Sequence, residues 1–104
     1  MAFVKVATLA ELPDGSVLGV EAQGKAVCLA HCEGEVYAFS DNCTHRDFPL
    51  SSGELDPDEC AVTCDWHGAM FDVRTGDALC LPATRPVAVY QVKVNGDEIY
   101  VDVE

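Results

Sequence analysis

The chain has 104 residues, 49% of them hydrophobic, and its six basic and eighteen acidic residues give a formal net charge of −12. This length and composition indicate one packed globular domain and exclude a disordered chain. The negative charge argues against nucleic acid and anionic membranes as partners and favours basic protein surfaces.

The first half of the chain has the apolar alternation that is typical of β-strands. Thr8–Glu11 matches a capping box, but Pro13-Asp14-Gly15 limits any helix there to about one turn. Two-residue turns are predicted at Gln23-Gly24 and Glu33-Gly34. The predicted strands are Phe3–Val6, Ser16–Glu21, Ala26–Cys32 and Glu35–Ser40. Strands that follow one another so closely indicate an antiparallel meander.

The second half continues the alternation in shorter segments. Asp56-Pro57-Asp58 has turn composition, Arg74-Thr75-Gly76 predicts a hairpin turn, and Asn95-Gly96 predicts another. The predicted strands are Cys60–Thr63, Ala69–Val73, Asp77–Leu79, Val87–Val94 and Glu98–Val103. Periodicity alone therefore predicts a small antiparallel β domain without repeats or linkers.

Two short segments each combine one cysteine with one histidine, namely Cys43-Thr44-His45 and Cys64-Asp65-Trp66-His67. In a Rieske-type centre two cysteines ligate one iron of a 2Fe-2S cluster, and two histidines ligate the other iron. A Cys2His2 zinc site is the alternative, because thiolate and imidazole also suit zinc. Zinc fingers usually group the cysteines apart from the histidines, so the mixed segments favour the iron-sulfur cluster.

With these motifs the sequence resembles the Rieske 2Fe-2S proteins, and in particular the small Rieske ferredoxins of bacterial aromatic-ring-hydroxylating dioxygenase systems. The resemblance covers nearly the whole chain and includes Gly68 directly after the second motif. The ligands that it implies, for one cluster per chain, are Cys43, His45, Cys64 and His67. It implies that residues 1–104 form a single all-β Rieske domain. An antiparallel β-sandwich base would carry an inserted cluster-binding subdomain of about residues 42–82.

The chain departs from the respiratory-complex branch of that family. That branch has an additional cysteine in each ligand loop, joined by a disulfide, where this chain has Phe48 and Trp66. It also has Ser and Tyr hydroxyls near the cluster, where this chain has Ala69 and Phe71. Fewer hydrogen bonds to the sulfur atoms predict a potential toward the low end of the Rieske range of about −150 to +300 mV.

The resemblance implies a one-electron carrier that is not an enzyme on its own. It would accept electrons from a flavin-dependent NAD(P)H ferredoxin reductase and pass them to a terminal ring-hydroxylating oxygenase, with His45 and His67 as the electron port. The alternatives are a Rieske-like small subunit of another oxidoreductase, such as nitrite reductase, a redox sensor, and a zinc-stabilised interaction module.

The expected location is the cytoplasm, and the expected state is a monomer. No segment is apolar enough to span a bilayer, and residues 1–20 lack the basic start, apolar run and cleavage site of a secretory signal. Small size and high charge favour the monomer.

The four cysteines outside the motifs are Cys28, Cys32, Cys60 and Cys80. In a reducing cytoplasm they are expected to be buried free thiols. Alternation places Cys28 and Cys32 on one strand face with Ala30, which indicates core packing. His31 points to the opposite face and is expected to be solvated or half-buried.

Acidic and apolar residues both accompany the ligand segments. The acidic ones are Asp41, Asp47, Glu54, Asp56, Asp58, Glu59 and Asp65. Most are expected to be ordinary solvated residues, and some are candidates for steering a docking partner. Phe48-Pro49-Leu50, Trp66 and Leu81-Pro82 are interpreted as a dry cover over the cluster, with a contact patch for partners as the alternative.

Overall fold

The structure is a computed structural model that describes residues 3–41, 50–56, 58–63, 70–80 and 87–102. Its strands are β1 (Val4–Thr8), β2 (Val17–Ala22), β3 (Lys25–Cys32), β4 (Glu35–Ser40), β5 (Glu54–Asp56), β6 (Ala61–Thr63), β7 (Met70–Asp72), β8 (Ala78–Cys80), β9 (Val89–Asn95) and β10 (Glu98–Asp102). Single-turn 3-10 helices occupy Leu9–Glu11 and Leu50–Ser52. No helix in the described ranges has the length and apolar composition to cross a membrane.

The strands form two antiparallel sheets, which confirms the all-β prediction. The large sheet has six strands in the order β1-β10-β9-β4-β3-β2, and the small sheet has four in the order β5-β6-β7-β8. Strands β4 and β9 pair with each other in the large sheet. The small sheet is therefore inserted in the chain between two neighbouring strands of the large one.

Two predicted hairpin turns have the expected residues. Ala22 pairs with Lys25, and the two turn residues between them, Gln23 and Gly24, have φ values of 51° and 81°. In the next hairpin, Glu33 and Gly34 have φ values of 54° and 79°. Positive φ at both central positions is what a type I′ turn requires. These turns fix the register of β2, β3 and β4.

The last hairpin turn lies one residue beyond its predicted place. Asn95 pairs with Glu98, so the turn consists of Gly96 and Asp97 instead of Asn95 and Gly96. Gly96 has a φ of 66° and occupies the first turn position. The prediction was wrong because glycine can take positive φ at either turn position, while the alternation of the flanking strands sets the register.

Two hydrophobic cores share strand β3. The base core is formed only by residues of the large sheet and its connections, so the sheet curves around this core. The buried members of the base core are Ala7, Leu12, Ala22, Val27, Leu29, Ala38, Ile99 and Val101. The inter-sheet core lies between the two sheets; its buried members are Cys28, Ala30, Cys32, Phe39, Leu50, Cys60, Val62, Phe71, Val73 and Val87. Successive β3 residues enter opposite cores, which explains the nearly continuous apolar run of this strand.

His31 is half-buried, as expected. Its Nδ1 lies 2.8 Å from the backbone oxygen of Leu12, an acceptor, so this ring nitrogen carries the proton. The His31 carbonyl accepts a hydrogen bond from the amide of Gly15 at 2.6 Å. Through these two hydrogen bonds, His31 holds the connection between β1 and β2 against the end of β3.

The expectation of free thiols is wrong for two of the four remaining cysteines. Cys32 and Cys60 form a disulfide with a Cα–Cα distance of 5.9 Å. Cys32 ends β3 in the large sheet, and Cys60 directly precedes β6 in the small sheet, so the bond joins the two sheets. Alternation predicted that Cys32 faces inward, but it gives no information about a partner 28 residues away.

Cys28 is a buried free thiol, as expected. Burial, and to a lesser extent the negative charge of Asp41, raises the pKa of the Cys28 thiol above its ordinary value. A thiol that is neutral and shielded from solvent is a poor nucleophile, so Cys28 acts as a small apolar residue. The side chain of Cys80 lies outside the described part of the chain.

Replacing both Cys32 and Cys60 by alanine is expected to destabilise the protein by about 3–4 kcal/mol, because the disulfide restricts the unfolded chain across a separation of 28 residues. The apparent melting temperature should fall by at least about 10 °C. The control is Cys28→Ala in the same core, with an expected cost of about 1 kcal/mol. A digest without a linked Cys32–Cys60 peptide would contradict the assignment.

Candidate metal centre

The four predicted ligands, Cys43, His45, Cys64 and His67, lie outside the described residues. Their two segments, residues 42–49 and 64–69, are nevertheless bounded by described residues on both sides. The positions of these bounding residues establish where each segment leaves the fold and where it returns.

One row of residues across the small sheet bounds the second segment and begins shortly after the first. Glu54 pairs with Thr63, Thr63 pairs with Met70, and Met70 pairs with Cys80. The first segment leads into β5 shortly before Glu54, and the second runs from Thr63 to Met70. Neighbouring strands lie about 5 Å apart. The start of β5, which follows the first cysteine/histidine segment, and both ends of the second segment therefore lie side by side, at what we call the ligand end of the small sheet.

A third segment leaves from the same end. Residues 81–86 begin directly after Cys80, and they contain the Leu81-Pro82 pair that was interpreted as cluster cover. Cys80, from which they depart, pairs with Met70, the residue at which the second motif segment ends. The side chains of Leu81 and Pro82, like those of Phe48, Pro49 and Trp66, lie outside the described residues, so their role stays a prediction.

The next row of the small sheet anchors it to the large sheet. The paired residues are Leu55, Val62, Phe71 and Ala78. All four belong to or pack against the inter-sheet core. Because this apolar row lies directly beside the ligand end, the two segments emerge from a well-packed base. Leu50, which was grouped with the cover, is completely buried in the same core.

A glycine allows the chain that follows the first segment to lie close to the residue that precedes the second. Gly53 follows the first segment, and a Cβ atom added to it would overlap the backbone oxygen of Thr63. The chain leaving the first segment therefore lies directly on the residue that opens the second. The sequence pattern gave no clear indication of this role for Gly53. A glycine directly before a strand is a weak signal of such a close backbone approach.

A carboxylate joins the two ends of the first segment. The Asp41 oxygens accept hydrogen bonds from the backbone amide and the hydroxyl of Ser51, both at 2.7 Å. From the sequence alone, Asp41 was one of the acidic residues predicted as candidates for steering a partner. No sequence signal connects it to Ser51, because the contact depends on the path of the eight residues between 42 and 49.

The other acidic residues near the motifs have different surroundings. Asp56 ends β5 opposite the ligand end, where its Oδ1 accepts hydrogen bonds from the amides of Asp58 and Glu59 at 3.0 and 3.4 Å. These hydrogen bonds confirm the turn predicted there and show that Asp56 stabilises it. Glu54 is exposed and lies at the ligand end. Among the described acidic residues it is the candidate for steering a partner, while Asp47 and Asp65 lie outside them.

The sequence is similar to that of known proteins over nearly its whole length. The family described as Rieske [2Fe-2S] domain matches residues 2–91. The chain is 40% identical, over 96% of its length and 94% of the relative's, to the ferredoxin component of the naphthalene 1,2-dioxygenase system of Pseudomonas aeruginosa.

Solved structures extend the likeness to the fold. The ferredoxin of carbazole 1,9a-dioxygenase from Nocardioides aromaticivorans IC177 is 35% identical, with a TM-score of 0.95 over 100% of both chains. A ferredoxin chain in a complex of reduced oxygenase and oxidized ferredoxin of carbazole 1,9a-dioxygenase is 33% identical. Its TM-score is 0.89, over 98% of this chain and 94% of that one.

Replacing Gly53 by alanine is expected to separate the two segments, because the new methyl group would overlap the Thr63 backbone. Overpacking of this kind costs about 1–3 kcal/mol, and we expect most of the bound metal to be lost. The measurement is metal content per folded chain. The control is Gly15→Ala, which strains a position with φ of 88° but meets no atom within 4 Å. A Gly53→Ala protein with full metal content would contradict the prediction.

Proposed function

The chain belongs to the Rieske [2Fe-2S] domain family, and we propose that Cys43, His45, Cys64 and His67 are the ligands of its cluster. The observation that carries this proposal is the shared ligand end of the small sheet, where Thr63 and Met70 bound the second segment and the chain from the first segment arrives beside Thr63 at Gly53 and Glu54. The donor set of two thiolates and two imidazoles fits a Rieske cluster.

We propose further that residues 1–104 form one Rieske domain whose cluster-binding subdomain covers about residues 42–82. The insertion of β5–β8 between β4 and β9 supports this division, since β4 and β9 are neighbours in the large sheet. A subdomain of this kind can vary its loops without disturbing the base.

The protein is an electron carrier of an aromatic-ring dioxygenase system, and it is not catalytic alone. Its relatives are the ferredoxin components of naphthalene and of 3-phenylpropionate/cinnamic acid dioxygenase systems. Its partners are the reductase of such a system and the terminal oxygenase, with which a structural relative has been seen in complex. We propose that the reductase is a flavoprotein that uses NAD(P)H.

When bound, the cluster supplies a site that accepts and releases one electron. The chain's own residues hold this site in place and keep water from its base. Val62 and Phe71 are completely buried directly beneath the ligand end. We propose a potential toward the low end of the Rieske range, because Ala69 and Phe71 provide no hydroxyl group to the sulfur atoms.

We propose the cytoplasm as the place of action, because the NAD(P)H that drives the proposed electron chain is found there. A disulfide is unusual in that compartment. Both Cys32 and Cys60 are buried, with exposed fractions of 0% and 1%, so cytoplasmic thiols have little access to their sulfur atoms.

The function is tested by reconstitution. The purified protein should contain iron and acid-labile sulfide and should couple NADH oxidation to ring hydroxylation when combined with a ferredoxin reductase and a ring-hydroxylating oxygenase. His67→Ala should abolish both, because it removes a proposed ligand. The control His31→Ala removes a histidine from the base and should keep the cluster.

Two outcomes would contradict this proposal. One is a colourless protein with stoichiometric zinc and neither iron nor sulfide, which would indicate a structural zinc site. The other is a protein with an intact cluster that exchanges electrons with no member of a panel of such reductases and oxygenases.

Charge steering is tested at Glu54. Replacing it by glutamine should slow reduction by the reductase about two- to threefold at low ionic strength, because one negative charge is lost at the ligand end. High salt should remove most of this difference. The control is Glu21→Gln, an exposed position on β2. Stopped-flow rates that are equal at low and high salt for the unmodified protein would rule out steering.

A further inference from the structure

We propose that the Asp41 carboxylate is a positioning group that fixes the distance between the two ends of the first ligand segment. The inference rests on the proposed ligand set, in which Cys43 and His45 lie within that segment. Asp41 precedes Cys43 by two residues, and Ser51 follows His45 by six. The pair formed by Asp41 and Ser51 is called the segment clamp below.

The segment clamp uses both carboxylate oxygens of Asp41. Oδ1 lies 2.7 Å from the backbone nitrogen of Ser51, and Oδ2 lies 2.7 Å from its hydroxyl oxygen. Hydrogen bonds to a charged acceptor are stronger than neutral ones, and a paired contact fixes orientation as well as distance. The two ends of the segment therefore have one defined separation.

The clamp is anchored to the large sheet. The amide of Asp41 donates a hydrogen bond to the backbone oxygen of Ala26 in β3 at 3.1 Å. On the adjacent strand β2, a Cβ atom added to Gly19 would lie 2.6 Å from the Ser51 hydroxyl oxygen and 2.9 Å from Oδ2 of Asp41. The space for the clamp thus depends on the absence of a side chain at Gly19. The Asp41–Ser51 contact is therefore part of the packed fold.

The other side of the clamp leads to the second ligand segment. Ser51 shares a single-turn helix with Leu50, which is completely buried in the inter-sheet core. Gly53 then lies against Thr63, the residue that opens the second segment. Asp41 therefore acts on the relative placement of both segments, through the short stretch from Ser51 to Gly53.

The test compares Asp41→Ala with Ser51→Ala in the cluster-loaded protein. Asp41→Ala removes both hydrogen bonds, and we expect cluster loss to become about tenfold faster, in line with other groups that orient metal ligands. Ser51→Ala keeps the bond from the backbone amide and should have a smaller effect. Both variants should shift or broaden the electron paramagnetic resonance signal of the reduced cluster. In Asp41→Ala the Ser51 amide should also exchange its hydrogen faster.

Asp41→Asn separates positioning from charge. The asparagine oxygen can accept from the Ser51 amide, and its NH2 group can donate to the Ser51 hydroxyl, so the clamp keeps its shape without the charge. We expect this variant to restore the cluster lifetime and the resonance signal. If Asp41→Asn and Asp41→Ala behave alike in both, the positioning role is overturned.

The matched control is Asp56→Ala. Asp56 also accepts hydrogen bonds from two backbone amides, but at the opposite end of the small sheet. The Asp56→Ala protein should lose the cluster at the same rate as the unmodified protein. An Asp41→Ala protein that matches Asp56→Ala would overturn the inference and leave the proposed function intact. An unmodified protein without a 2Fe-2S cluster would overturn both. If Asp41→Ala does not fold, Ser51→Ala and Asp41→Asn decide.

Discussion

The packing of the small sheet against one face of β3 and β4 is the constraint on which the rest of this structure depends. Three-residue strands such as β6 and β7 are too short to be stable alone. Their apolar row, which includes Val62 and Phe71, is buried against Phe39 and the small residues at every second position of β3. Burial of this row stabilises the small sheet, and with it the shared end from which both ligand segments emerge.

Two further links hold the small sheet at its opposite ends. The disulfide of Cys32 and Cys60 attaches the end remote from the ligand segments, and the Asp41–Ser51 contact attaches the chain near the ligand end. Together with the buried apolar row, these two links fix the position of the ligand end relative to the base. An electron carrier benefits from such rigidity, because its metal ligands must keep their geometry in both oxidation states.

The sequence predicted the local features of this fold well. Alternation located β2, β3 and β4, and the glycines after Gln23 and Glu33 located two turns with positive φ. The features that it missed depend on contacts between distant segments. Strand β5 and the helical turn before it have little alternation of their own, and they are stabilised by pairing with β6 and by the burial of Leu50. The partner of Cys32 was missed for the same reason.

The same distinction applies to the candidate metal centre. The cysteines and histidines of the two motifs can be recognised within a few consecutive residues. The ligands Cys43, His45, Cys64 and His67 could therefore be proposed from the sequence. The frame around them is not local, since it depends on Gly19, Gly53 and Asp41, which touch residues ten or more positions away. Two of these are glycines whose contribution is the absence of a side chain. Asp41 has a carboxylate that looked like any other in a chain with eighteen acidic residues. Composition therefore suggested a surface charge, whereas the fold gives this carboxylate a structural partner on both oxygens.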